Sequence, residues 1–175
     1  MDITECIEFL EKSIKDPSKG LPEEVFLLLG RLTPYLNVDL LIKDNDQKIL
    51  LTWRQPGEKY PCGWHLPGGI IRYKESFEIR IKKVALSELK ARVRFDKNPL
   101  TIEQLILNQV NRAHFISLLY SCELLDEPAP SLRYIEGKPI PGQWAWHKRI
   151  PKDLFINCFK VMFLVNVYFP GLNIF

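Results

Sequence analysis

The stretch Leu66–Val93, LPGGIIRYKESFEIRIKKVALSELKARV, decides how this chain of 175 residues is read. It opens on Pro67-Gly68-Gly69, a turn whose missing side chains let backbone oxygens and amides come close to a ligand. From about Glu75 to Arg92 no glycine or proline intervenes, which predicts one helix. On a helical wheel Phe77, Ile81, Val84 and Ala91 share one face, and Ile79, Leu86, Leu89 and Val93 another, so burial on two sides is expected. Glu88 falls in the middle of the first apolar face, while Lys83, Ser87 and Lys90 gather on the polar edge. A carboxylate directed into an apolar face needs a partner or takes up a proton. An ion pair with Arg92, one turn on, is one solution. A metal ion beside the Gly-Gly turn is another, because carbonyl and carboxylate oxygens suit Mg²⁺, with phosphate oxygens and water completing its octahedron.

Outward from this segment the pattern changes on both sides. Toward the N-terminus, Ile3, Ile7, Leu10 and Ile14 recur at helical spacing until Asp16-Pro17-Ser18-Lys19-Gly20 breaks the run. A second short helix is expected from Pro22, with Glu23 and Glu24 at its positive end and Gly30 as its stop. Residues 1–35 therefore read as a helical extension to a domain spanning 36–175. Strands are expected at Leu36–Lys43 and Lys48–Trp53, joined into a hairpin by Asp44-Asn45-Asp46-Gln47, and again at Leu100–Leu107, Ala113–Leu124 and Gln143–His147. A last helix is expected from about Pro151. Strands, one central helix, more strands and a closing helix imply the α/β (α+β) class, a mixed sheet with helices on its faces.

Composition agrees with a single soluble domain: 46% of residues are hydrophobic and 26% charged. The net charge of +3 is spread among acidic residues rather than gathered in a stripe, which argues against a nucleic-acid partner. Cys6, Cys62, Cys122 and Cys158 form no C-x-x-C pair, so reduced thiols in the cytoplasm are expected rather than a zinc site or disulfide framework. Acidic residues at the start argue against a signal peptide. Val161–Phe169 is too short to cross a bilayer, and reads as a buried helix or a subunit contact.

Counted from Gly69, the central segment resembles the Nudix box: glycine, five residues, glutamate, seven residues, arginine-glutamate, an apolar residue, any residue, two glutamates, any residue, glycine and an apolar residue. Glu75 matches the first acidic place and Glu88 the second of the paired glutamates, while Lys83, Val84, Ser87 and Lys90 replace the arginine, two glutamates and the glycine. The resemblance implies a Nudix-type α/β/α sandwich from Leu36 on, and hydrolysis of a nucleoside-diphosphate derivative with Mg²⁺, or Mn²⁺, as cofactor. With two box glutamates gone, a single metal ion is implied. The GDP-mannose mannosyl hydrolase branch lacks the same glutamates, and this chain is similar to it also in Val38-Asp39-Leu40, Trp53-Arg54 and Pro67-Gly68-Gly69.

That likeness implies roles residue by residue. Gly69, Glu88 and Gln143 would hold the metal, and Asp39, Arg54 and Arg72 would bind the substrate. Arg72 substitutes for an arginine that the branch carries where this chain has Ile70. Arg54 and Lys83 would stabilise the diphosphate, and His114 or His147 would act as general base; Glu136 is a further candidate ligand or base. Tyr134, Trp144 and Trp146 either stack on a base or sugar or pack in the core. The substrate implied is a nucleotide sugar attacked at the sugar carbon. Attack at phosphorus, as in ordinary Nudix pyrophosphatases, and a Nudix-fold binding protein without catalysis are the alternatives. Residues 1–35 are expected to pack on the domain or join a homodimer, and no membrane partner is expected.

Overall fold

The computed structural model describes residues 2–54 and 62–155. Its first helix, α1 (Ile3–Ser13), starts with a reciprocal cap: Glu5 N–H donates to Asp2 Oδ1 at 2.8 Å and Asp2 N–H to Glu5 Oε2 at 2.8 Å. No residue of α1 is buried. The second, α2 (Glu23–Leu32), buries Val25 and stacks Phe26 on Tyr35 at 4.6 Å. Gly30 was expected as the stop of this helix and instead lies inside it. The Tyr35 ring crosses that spot so closely that any Cβ would collide with it.

Among the described residues eight strands and one further α-helix follow: β1 (Tyr35–Ile42), β2 (Ile49–Arg54), β3 (Gly63–His65), β4 (Gly68–Ile70), α3 (Phe77–Leu89), β5 (Val93–Phe95), β6 (Thr101–Ile106), β7 (His114–Leu124) and β8 (Trp144–His147). They form two sheets. One runs β4-β1-β7-β5 with β6 also on β7; the other runs β3-β2-β8. The β1–β7 pairing is parallel and the others are antiparallel, so the mixed sheet and the α+β class expected from the sequence are present. The expected β1–β2 hairpin is not a ladder. The two strands meet at a bridge between Lys43 and Ile49 and then part into different sheets.

That parting buries β1 on both faces. Val38, Leu40 and Ile42 pack with Ile81, Val84, Ala85 and Leu89 of α3, while Leu41 packs with Ile49, Leu51, Trp64, Leu66, Leu105 and Leu119 on the opposite side. Helix α3 departs from expectation in two ways. The one buried stripe is Ile81, Val84, Ala85 and Leu89, which draws on both expected faces; Phe77 of the first face and Ile79 and Leu86 of the second are 42%, 47% and 59% exposed, because no second layer of described residues covers them. The helix also ends at Leu89, where Lys90 takes a left-handed conformation (φ 55°), so Arg92 and Val93 leave it and Val93 begins β5. The expected last helix near Pro151 and the apolar run Val161–Phe169 lie, from residue 156 on, outside the described residues.

Candidate active site

Asp39 alternates with Val38 and Leu40, so the pleat turns it away from α3 into the space between the sheets. Ser117 Oγ, on the neighbouring β7, donates to its Oδ2. Gly68 sits directly opposite in the β1–β4 pairing, and a Cβ there would collide with the Asp39 carboxylate and the Val38 carbonyl. The next glycine, Gly69, makes room for Val84, whose Cγ2 would lie 2.9 Å from a Cβ. Burial raises the Asp39 carboxyl to about 6, against the pull of Ser117, Asn37 and Arg54.

Glu88 reaches the same region from α3. Its Oε2 accepts from Thr52 Oγ1 at 2.8 Å and its Oε1 from the Gly68 amide at 3.1 Å. Burial lifts it to about 7; Thr52, Gly68 and Arg54 oppose this, and the charge of Asp39 adds to it. Arg92 is not its partner: that side chain forks onto Asp126, with Nε–Oδ2 at 2.8 Å and NH2–Oδ1 at 2.7 Å. His65 completes the group. Its Nδ1 lies 2.7 Å from the Leu66 carbonyl, which makes Nδ1 the protonated nitrogen and leaves Nε2 an acceptor, 3.4 Å from Thr52 Oγ1. The Thr52 proton is already committed to Glu88. Burial, reinforced by Arg54, lowers His65 to about 4, so the ring is neutral near pH 7.

Asp39 and His65 line a cavity of about 490 Å³ whose wall also includes Arg54, Gly68, Gly69 and Arg72. Arg54 ends β2 with its guanidinium 4.9 Å from the Phe155 ring centre. Glu88 is not itself a wall residue and meets the cavity through Gly68. The structure thus brings together Asp39, Arg54, Gly69, Arg72 and Glu88 of the residues singled out in the sequence.

Four others stand apart from the wall. Lys83 pairs with Glu75 at 3.0 Å and is 59% exposed along its side chain. Gln143 precedes β8, where its Oε1 accepts from the Ile140 amide at 2.9 Å. His114, at the start of β7, contacts Gln104 at 2.9 Å. His147 packs edge-on to Trp64 at 4.7 Å, its Nε2 buried without a hydrogen bond and its pKa lowered by burial to about 4. Glu136 is exposed, Trp144 is core with its indole N–H on the Ala129 carbonyl at 2.9 Å, Tyr134 packs on Trp64, and Trp146 faces a separate cavity.

His65 and Arg80 are among the wall residues that escaped the sequence reading. His65 was passed over because its approach to Thr52 depends on the β2–β3 register, although its place just before the Gly-Gly turn is a usable signal. Arg80 lines the cavity and holds Glu75 through Nε at 2.7 Å. Glu75 also accepts from the Arg72 amide at 3.0 Å. Burial alone would raise Glu75; the bonds from Arg72, Lys83 and Arg80 prevail and its pKa is lowered. Glu75 therefore ties the turn to the start of α3.

No family model matches the sequence, and no curated protein matches it. Solved structures do. A NUDIX hydrolase from Nitrosomonas europaea superposes with a TM-score of 0.56 at 15% identity, over 79% of this chain and 90% of that one. A possible asymmetric diadenosine tetraphosphate hydrolase from Jonesia denitrificans gives 0.61 at 15% identity, over 82% and 99%. A UDP-X diphosphatase gives 0.55 at 19% identity, over 95% and 92%. The chain has the Nudix fold. On it, the Nudix-box place of Val84 is a core position, 3% exposed, and Ser87 turns its hydroxyl to the Val84 carbonyl at 3.1 Å. Lys90, at the box's last glycine, holds the left-handed turn that the glycine would take without strain. Among the described residues no helix is long and apolar enough to cross a membrane.

Proposed function

We propose that the chain is a Mg²⁺-dependent hydrolase of nucleoside-diphosphate sugars, splitting the sugar from the diphosphate at the anomeric carbon. The observation that carries this reading is the pair Asp39 and Glu88 beside the Gly68-Gly69 turn, with Arg54 close enough to pull both carboxyls down. A carboxylate pushed up by burial and by the charge of its neighbour, as Glu88 is, makes a site that a cation relieves. Their donor set fits: hard oxygens from Glu88 and the glycine turn suit Mg²⁺, and Glu88 bonded to the Gly68 amide is already aimed there. Among the described residues no three His, Cys, Asp or Glu could hold an ion by themselves, which suits one that completes its shell with phosphate oxygens and water. When bound, the ion neutralises charge on the diphosphate.

The protein's own groups divide the remaining work. Arg54 and Arg72 bind the diphosphate, a task suited to planar guanidinium groups. Asp39 lines the cavity and is the wall carboxyl with a proton affinity near neutral pH, which makes it the proton acceptor in place of His114 or His147. Water forms the new carbon–oxygen bond and loses a proton to Asp39. The bond between the anomeric carbon and the diphosphate oxygen breaks, and its electron pair leaves with the diphosphate, so the configuration inverts. His65, neutral with Nε2 as acceptor, orients the water or a sugar hydroxyl. Val84 and Ser87 favour this one-ion reading over the multi-metal attack at phosphorus, since neither supplies a carboxylate. They also keep a catalytically silent binding protein as the second reading.

The test is a panel of nucleoside-diphosphate sugars incubated with Mg²⁺ and resolved by chromatography. Free sugar and nucleoside diphosphate are the expected products, with Asp39→Asn inactive. Tight nucleotide-sugar binding without any product would support the silent binding protein instead.

A further inference from the structure

The cavity does not end at Asp39 and His65. Leu21, Glu23 and Phe26, which precede the sheet, wall another part of it, together with Leu105, Leu107, Arg112 and Phe115 of the β6–β7 segment. This part is firmly built. Phe26 stacks on Tyr35 at 4.6 Å, Tyr35 Oη donates to the Phe26 carbonyl at 2.6 Å, and Tyr35 in turn packs on Phe115 at 5.5 Å. The Arg112 guanidinium lies 4.6 Å over the Phe26 ring, and its NH2 comes to 3.8 Å from Glu23. The wall therefore has a part that carries Asp39, Arg54 and His65, and an apolar, aromatic part around a flat guanidinium that pairs with Glu23 and adjoins Arg72 near Gly20. A ligand that fills both must carry a charged part and a planar, weakly polar part. About 490 Å³ falls in the range of small-molecule sites, roughly 300–1,000 Å³.

We propose that the part of the cavity walled by Leu21, Phe26, Leu107, Arg112 and Phe115 is a nucleobase subsite, so that α2 and Leu21 just before it help form the substrate site. Guanidinium planes and aromatic or aliphatic faces accept any base by stacking. The inference rests on the reading of the part around Arg54 as a diphosphate site, because that fixes which part the base occupies.

Binding rather than turnover tests it. Calorimetric titration of the full chain with Mg²⁺ compares a nucleoside diphosphate, GDP or UDP, with inorganic pyrophosphate. The wild type should bind the nucleoside diphosphate at least tenfold more tightly. Leu21→Ser, Leu107→Ser and the charge-keeping Arg112→Lys should each lose most of that preference while pyrophosphate affinity stays within twofold, with circular dichroism confirming the fold. Equal affinity of the wild type for the two probes, or variants that weaken both in parallel, overturns the subsite. So does a wild type that binds neither probe. Preference for the nucleoside diphosphate without hydrolysis of any nucleotide sugar supports the subsite and sinks only the catalytic reading.

Discussion

Glu88→Gln separates what the half-buried carboxylate costs the fold from what it does. Burial raises Glu88 from 4.5 to about 7 and Asp39 from 3.8 to about 6. A carboxyl whose folded pKa exceeds its unfolded one holds its proton more tightly in the native state. Its stabilising share is complete below the unfolded pKa and is lost as pH rises through the folded one. The window is therefore about pH 4.5 to 7 for Glu88 and about 3.8 to 6 for Asp39. At about 1.4 kcal/mol for each tenfold change in proton affinity, the loss is about 3 kcal/mol for either group, as an upper figure. Neutral His65 and His147, both lowered to about 4, work the other way, their share being lost as pH falls below 6.5, so the two effects offset in the wild type and the share of Glu88 is read against a variant. Glu88→Gln keeps an acceptor for the Gly68 amide and removes the charge, so it should lose about 2–3 kcal/mol less than wild type across this range. Urea unfolding followed by tryptophan fluorescence with a chelator present reads both. Magnesium at pH 8 should restore the wild type and leave the variant unchanged. A variant whose stability relative to wild type is the same at pH 5 and pH 8 refutes the account.

Other outcomes follow from the same geometry. Arg54→Ala should slow turnover more than tenfold, over about 1.4 kcal/mol of barrier, with an unchanged circular dichroism spectrum, whereas Lys83→Ala, whose partner is Glu75, should change kcat less than threefold. Lys90→Gly should raise stability by about 1 kcal/mol, since glycine takes the left-handed turn without strain, less whatever the Lys90 Nζ bond to the Ser87 carbonyl at 2.9 Å contributes; thermal melting reads this. Helix α1 exposes Ile3, Ile7 and Phe9 by 79%, 51% and 66%, and a homodimer that covers them should appear in light scattering and vanish when Ile3 and Phe9 become serine.

What the sequence disclosed and what it hid divide along physical lines. The strands were legible because alternation along β1 and β7 is local, and Glu88 was legible because a carboxylate inside an apolar stripe is a local contradiction. The β1–β2 connection was misread because Asp44–Gln47 is the same turn whether the strands after it pair or diverge. Helical periodicity cannot tell how much of each apolar stripe is covered, so Phe77, Ile79 and Leu86 looked buried and are exposed. Asp39 was singled out as a substrate contact by motif likeness, and only the second sheet shows how its face comes to line a cleft. His65, Arg80 and the wall residues Leu21 and Phe26 depend on register and on packing between segments far apart in sequence. The motif likeness favoured Lys83, but the fold spends that side chain on Glu75 and puts Arg80 on the wall.

Which atom water attacks tests the central claim most directly. Turnover of a nucleoside-diphosphate sugar in ¹⁸O-water with Mg²⁺, read by mass spectrometry, should place the label in the free sugar and none in the nucleotide. Label in a nucleoside monophosphate or sugar phosphate would contradict attack at the anomeric carbon and make the chain a pyrophosphatase.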